Sequence, residues 1–78
     1  MSRREKLIAR IRARSPEADF GDVQAVLGYF GWTLDRESGG HATFTKRGEF
    51  PLTVPKVGGR KVKRVYLTML CERLGLDD

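Results

Sequence analysis

The apolar residues near the start of the chain recur at helical spacing. Leu7, Ile8 and Ile11 lie on a narrow apolar stripe among arginines, and Ser2 and Glu5 have the spacing of a capping box. Pro16 marks the end of the segment, because the residue before a proline is driven out of the helical region. The pattern therefore predicts one short N-terminal helix.

A second helix is predicted in "DFGDVQAVLGYFGW". Asp19 can cap its start, and Gly31 can supply the left-handed residue beyond its end, so that Trp32 folds back onto the helix. The apolar positions that recur on one side are Val23, Val26, Leu27 and Phe30.

Beyond this helix the apolar period changes to strict alternation, which is typical of half-buried strands. Trp32 and Leu34 share one face of a first strand, and Ala42 and Phe44 share the corresponding face of a second, with "ESGG" as the turn between them. The alternation then makes His41 point to the opposite face of the sheet.

A third strand and a last helix complete the pattern. Phe50, Leu52 and Val54 alternate, and Pro51 puts this strand at an edge of the sheet because proline has no N–H to donate. The loop "PKVGGRK" leads into a helix whose apolar arc is wide enough to contact a second helix, which we expect to be the N-terminal one. Its apolar positions are Val62, Val65, Tyr66, Leu67, Met69, Leu70 and Leu74.

The resulting element order is α-α-β-β-β-α. We expect an α+β fold in which three antiparallel strands carry helices on one face and leave the other face open to water. A chain of 78 residues is enough for one small domain, with residues 1–16 as an N-terminal helical extension and residues 19–76 as the core.

The cysteine content and the hydropathy exclude several classes of protein. Cys71 is the only cysteine, so no internal disulfide can form, and no Cys/His cluster has metal-ligand spacing. We expect this thiol to be half-buried and inert, in a reducing, cytoplasmic setting. No stretch has the apolar length of a signal peptide core or a membrane span, so we expect a soluble protein without membrane contact.

The charge balance favours a polyanionic partner. The chain has 15 Lys and Arg against 10 Asp and Glu, and nucleic acid is the commonest polyanion. In "KVGGRKVKR" the cations gather at and just before the start of the last helix, where they oppose the helix dipole unless an anion binds. This predicts a phosphate site; the alternative is a solvated basic turn. Its residues are Lys56, Arg60, Lys61, Lys63 and Arg64.

The single histidine is the main candidate for chemistry. His41 begins its predicted strand on the open face, directly after Gly39 and Gly40, which allow a ligand to approach the backbone closely. Histidine is the side chain that exchanges protons near neutral pH, and it can therefore act as a general acid or base. The alternative is a surface histidine without a role.

Residues 20–76, "FGDVQAVLGYFGWTLDRESGGHATFTKRGEFPLTVPKVGGRKVKRVYLTMLCERLGL", resemble the HicA toxins of bacterial toxin–antitoxin pairs. The most specific part is "GGHATF" followed by "VPKVGGRKVKR". The resemblance implies a fold like the double-stranded-RNA-binding domain, an endoribonuclease that cuts mRNA without metal or other cofactor, and a HicB antitoxin that covers the active site. It also implies that His41 is the catalytic residue. One departure is Gly40, where the family usually has serine, so a hydroxyl that could orient the imidazole is lost.

The implied reaction agrees with what the residues can do. The RNA 2′-hydroxyl attacks the adjacent phosphorus, with His41 as base or as acid for the leaving oxygen, while Lys56, Arg60, Lys61 and Lys63 hold the backbone. DNA lacks this hydroxyl, so we expect that it is not cut. We also expect no contact with DNA by the chain alone. Two alternatives stay open: an RNA-binding module without catalysis that uses the basic loop, and a protein-interaction domain whose basic face meets an acidic partner.

Overall fold

The computed structural model describes residues 2–77 and has an α+β architecture with two antiparallel sheets. One sheet has the strand order β2-β3-β4, and β1 pairs with β5 in the other. No helix within the described residues is long and apolar enough to cross a membrane. The elements are α1 (Arg3–Ala13), β1 (Glu17–Asp19), α2 (Phe20–Tyr29), β2 (Thr33–Ser38), β3 (His41–Thr45), β4 (Leu52–Pro55), β5 (Lys61–Lys63) and α3 (Arg64–Leu74).

The predicted three-stranded sheet with helices on one face is confirmed. Ala42 and Phe44 of β3 and Leu52 and Val54 of β4 are buried on the same face, in one core with residues of all three helices. β4 lies at an edge of this sheet, as the adjacent proline predicted. The buried core residues are Leu7, Ile11, Phe20, Val23, Val26, Leu27, Trp32, Ala42, Phe44, Leu52, Val54, Val62, Leu67, Leu70, Cys71 and Leu76.

The N-terminal helix begins and packs as predicted. The backbone N–H of Glu5 donates to Oγ of Ser2 at 3.1 Å, which satisfies one of the free donors of the first turn. α1 contacts α3, where Sγ of Cys71 lies 3.8 Å from the carbonyl oxygen of Ile11. Cys71 is fully buried rather than half-buried, and this burial raises the pKa of its thiol, which keeps it protonated and inert.

The second helix is capped differently from the prediction. Asp19 occupies the N-cap position, but its side chain makes no capping hydrogen bond. The backbone N–H of Phe20 instead donates to the carbonyl oxygen of Arg60 at 2.8 Å, so the loop before β5 satisfies a free donor at the start of this helix. At the C-terminal end the prediction holds, since the N–H of Trp32 donates to the carbonyl oxygen of Leu27 at 3.0 Å.

Three further expectations are corrected. Phe50 is 83% exposed and precedes β4, so the third strand is shorter than the alternation suggested. Val62 belongs to β5 rather than to the last helix, and Val65 is 64% exposed on α3. Val62 lies in a strand because Lys61–Lys63 pair in antiparallel register with Glu17–Asp19, which keeps this segment extended until α3 begins at Arg64.

The contrast between two phenylalanines tests the position of the core. Phe44→Ala should lower the free energy of unfolding by about 3–5 kcal/mol, because a fully buried ring leaves a cavity behind. Phe50→Ala, at an exposed site, should stay within about 0.5 kcal/mol of the parent. Urea unfolding followed by circular dichroism measures both changes. Equal losses for the two variants would contradict the observed boundary of β4.

Candidate functional site

A two-residue turn of glycines brings His41 to the surface. Gly39 and Gly40 have φ of 56° and 83°, the signs that a type I′ hairpin turn requires at both central positions. The turn joins β2 to β3, and His41 is the first residue of β3 and is exposed. The exposure predicted from alternation is therefore confirmed.

The imidazole of His41 has one polar contact among the described residues. Its Nδ1 lies 3.3 Å from the carbonyl oxygen of Gly39. A carbonyl oxygen can only accept, so this contact requires a proton on Nδ1, which leaves Nε2 of the neutral ring free to take a proton. Ser38 on β2 and Pro55 on β4 are the cross-strand partners of His41.

The pairing of β2 with β3 contains a shift of one residue. Leu34 is paired with Phe44, but Arg36 is paired with Thr43, so Asp35 is an extra residue of the kind found in a β-bulge. The shift places Arg36 on the open face, although unbroken alternation from Leu34 assigns it to the core face. Residues on the open face are Thr33, Arg36, Ser38, His41, Thr43, Thr45, Thr53 and Pro55.

Lys56 lies next to the glycine turn through its backbone, but its ammonium group is turned away. Its N–H donates to the carbonyl oxygen of Gly40 at 2.7 Å. Its side chain is only 9% exposed, forms an ion pair with Glu37, and places Nζ 4.5 Å from the ring centroid of Phe20. Because Phe20 belongs to the core, this ammonium lies on the helix side of the sheet, opposite to the face of His41.

The rest of the basic loop folds against α2. Val57 forms a β-bridge with Lys61, and the three residues between them make a turn that begins two residues after Lys56. Lys61 forms an ion pair with Asp19, and the carbonyl oxygen of the exposed Arg60 accepts a hydrogen bond from the N–H of Phe20, the first residue of α2. The loop is joined to the glycine turn at Lys56, whose N–H donates to the carbonyl oxygen of Gly40.

The last two predicted cations lie at the start of α3. Lys63 is its N-cap residue and makes no side-chain capping bond. The N–H of Arg64 donates to the carbonyl oxygen of Pro16 at 3.2 Å, and its Nε donates to that of Arg14 at 2.8 Å. Of the predicted cations, Lys56 therefore adjoins the glycine turn through its backbone, whereas Arg64 adjoins the connection from α1 to β1.

Sequence reasoning missed two side chains of the open face, Arg36 and Ser38. Ser38 is paired directly with His41, so a hydroxyl is present beside the histidine even though residue 40 is glycine. The signal for Arg36 was a conflict: a charged residue stood at a position that alternation with Trp32 and Leu34 assigned to the core. Such a conflict indicates a break in register.

The described residues define a small basic α+β protein that presents one histidine at a glycine turn on an open sheet face. Within residues 2–77 no group of three or more His, Cys, Asp or Glu side chains is placed to hold a metal ion. A family model described as the HicA toxin of bacterial toxin–antitoxin matches residues 20–76. The chain therefore belongs to the HicA toxin family, as the resemblance predicted. No curated protein and no solved structure matches it significantly.

The glycine turn is tested by a pair of substitutions with opposite expected signs. Gly40→Ala should lower the free energy of unfolding by about 1–2 kcal/mol, because a Cβ is strained at a φ of 83°. Gly28→Ala, within α2 and with nothing within 4 Å of the added Cβ, should raise it by up to about 1 kcal/mol. Chemical denaturation measures both, and a stabilising Gly40→Ala would contradict the turn.

The ion pair of Asp19 with Lys61 should make the free energy of unfolding depend on pH in the acidic range. The hydrogen bond from Lys61, helped by its charge, lowers the pKa of Asp19. A carboxyl with a lowered folded pKa stabilises the fold above its unfolded value of about 3.9, and this contribution is lost as pH falls through the folded pKa. Asp19→Asn should therefore lose less stability than the parent on acidification in urea titrations. Lys61→Gln should flatten the curve in the same direction but by less, because the charges of Arg60 and Arg10 still lower the pKa of Asp19, and a parent-like slope in both variants would refute the pair.

Proposed function

We propose that this HicA family toxin is an endoribonuclease that cleaves mRNA without a metal ion and that His41 is its catalytic residue. The observation that supports the proposal is the free Nε2 of an exposed imidazole whose Nδ1 faces the carbonyl oxygen of Gly39. The bare backbone of Gly39 and Gly40 leaves room for a phosphodiester beside this ring.

The reaction needs no group beyond the RNA and the side chain. Nε2 of His41 accepts the proton of the 2′-hydroxyl, and the 2′-oxygen forms a bond to phosphorus while the bond from phosphorus to the 5′-oxygen breaks. The 5′-oxygen takes a proton from the imidazolium or from water. The products are a 2′,3′-cyclic phosphate and a 5′-hydroxyl, and DNA is not cut because it has no 2′-hydroxyl.

The cations of the basic loop have different parts in this proposal. Arg60, Lys63 and Arg64 are exposed and can contact phosphates along the RNA. Lys61 is paired with Asp19 yet keeps 46% of its side chain exposed, so it can add to the local positive field. Lys56 reaches RNA only by leaving Glu37.

The proposed protein partner is a HicB-like antitoxin that neutralises the toxin by covering the face that carries His41. The net charge of +5 favours an acidic partner surface. Bound there, the partner would exclude RNA from the open face of the sheet.

The first test is incubation with a long single-stranded RNA in excess chelator. The parent should cut it and leave cyclic or 3′-phosphate ends, while His41→Ala should lose at least about 100-fold in rate, since general base catalysis contributes 10²–10⁴-fold. Glu49→Ala, an exposed truncation in the turn after β3, is the control and should keep full activity. Melting temperatures of all three should agree, and equal cleavage by the parent and His41→Ala would overturn the role of His41.

The absence of a side chain at Gly40 favours a second candidate, an RNA-binding module without catalysis. In that case neither the parent nor His41→Ala cuts RNA, both bind it equally, and affinity falls steeply with salt. A complex with an acidic protein that excess RNA does not disturb would instead indicate a protein-interaction domain with a separate site.

A further inference from the structure

The one-residue shift in β2 puts a second functional group on the face of His41. Arg36 is paired with Thr43, and His41 lies two residues from Thr43 on the same strand. Arg36 and His41 are therefore diagonal neighbours, whose Cα atoms in antiparallel sheets are about 7–8 Å apart, within reach of long side chains. Bulges often re-aim a side chain in this way next to a functional site.

The guanidinium of Arg36 is available for a ligand. It is exposed, and within residues 2–77 it forms no ion pair. The ammonium of Lys56, by contrast, is 9% exposed and is paired with Glu37 on the helix side of the sheet. Of these two cations, Arg36 is the one that shares the face of the imidazole.

The same shift produces both placements. It turns Arg36 to the open face and the next residue, Glu37, to the helix side, where Glu37 neutralises Lys56. The side chains around Arg36 on the open face are mostly hydroxyls, including Ser38, Thr43 and Thr53. Hydroxyls and arginine are the groups that proteins use to bind phosphate and sugar oxygens.

We propose that Arg36 binds the scissile phosphate beside His41 and stabilises the charge that grows on it during cleavage. The inference rests on the proposed ribonuclease function. The guanidinium fork can donate two parallel hydrogen bonds to the non-bridging oxygens, while Nε2 of His41 takes the proton of the 2′-hydroxyl. Because phosphate charge increases as the 2′-oxygen attacks, this contact is stronger in the transition state than in the bound substrate.

The test compares Arg36→Gln, Arg36→Lys and the control Arg12→Gln. Arg12 is an exposed arginine of α1, in the helix layer on the other side of the sheet, so the control removes the same charge from the opposite face. Each protein is assayed for RNA cleavage under single-turnover conditions. Each is also titrated, over a range of salt, with a single-stranded 2′-O-methyl RNA, which has no free 2′-hydroxyl to attack.

Arg36→Gln should cut about 10²-fold or more slowly. The negative slope of log affinity against log salt should become shallower by about 0.7, as for one lost phosphate contact. Arg36→Lys should keep the salt slope but recover only part of the rate, because a lysine cannot form the bidentate contact. Arg12→Gln should match the parent in both measurements.

Two outcomes separate this inference from the proposed function. If Arg36→Gln binds and cuts like Arg12→Gln, the role of Arg36 is overturned while the ribonuclease stands. If the parent cuts no RNA but Arg36→Gln still loses affinity and salt slope relative to Arg12→Gln, cleavage is overturned and the phosphate contact is supported.

Discussion

The pairing register between β2 and β3 is the constraint on which the rest of the structure depends. The Gly39-Gly40 turn fixes where the two strands meet, and the extra residue Asp35 interrupts the pairing once. On one side of the interruption Leu34 faces the core with Phe44. On the other side Arg36 faces solvent, near His41. Since side chains alternate along a strand, a shift of one residue exchanges the two faces for every residue beyond it.

The pairings of β2 with β3 and of β1 with β5 divide the positive charges into two kinds. Lys56 and Lys61 pair with Glu37 and Asp19, which the tertiary structure brings from distant parts of the chain. These pairs fasten the basic loop to β2 and to the start of α2. Arg36, which forms no ion pair within residues 2–77, lies on a surface that a polyanion can reach. Some of the positive charges in the sequence thus form ion pairs that stabilise the fold, and others create a positive potential at the surface that attracts anionic ligands.

Much of the fold could be predicted from local patterns. Ser2 and Glu5 marked the start of α1, and the apolar spacing of α2 and the alternation around Phe44 identified their core faces. The exposure of His41 followed from the same alternation. Errors arose where a distant segment decided the outcome: β1 and β5 hold each other extended, and so Val62 joined a strand that no local signal had predicted.

The sequence by itself determined the family of the protein and singled out His41 as the exposed candidate for chemistry. It could do so because periodicity, turn glycines and the family motif are properties of contiguous residues. Only the tertiary structure decided which cations accompany that histidine. Arg36 lies on the same sheet face as His41 because the pairing of β2 with β3 is shifted by one residue. The ammonium of Lys56 lies on the opposite side, where it forms an ion pair with Glu37. Neither arrangement is a property of one segment, since a register exists only between two strands and a salt bridge only between residues that folding brings together.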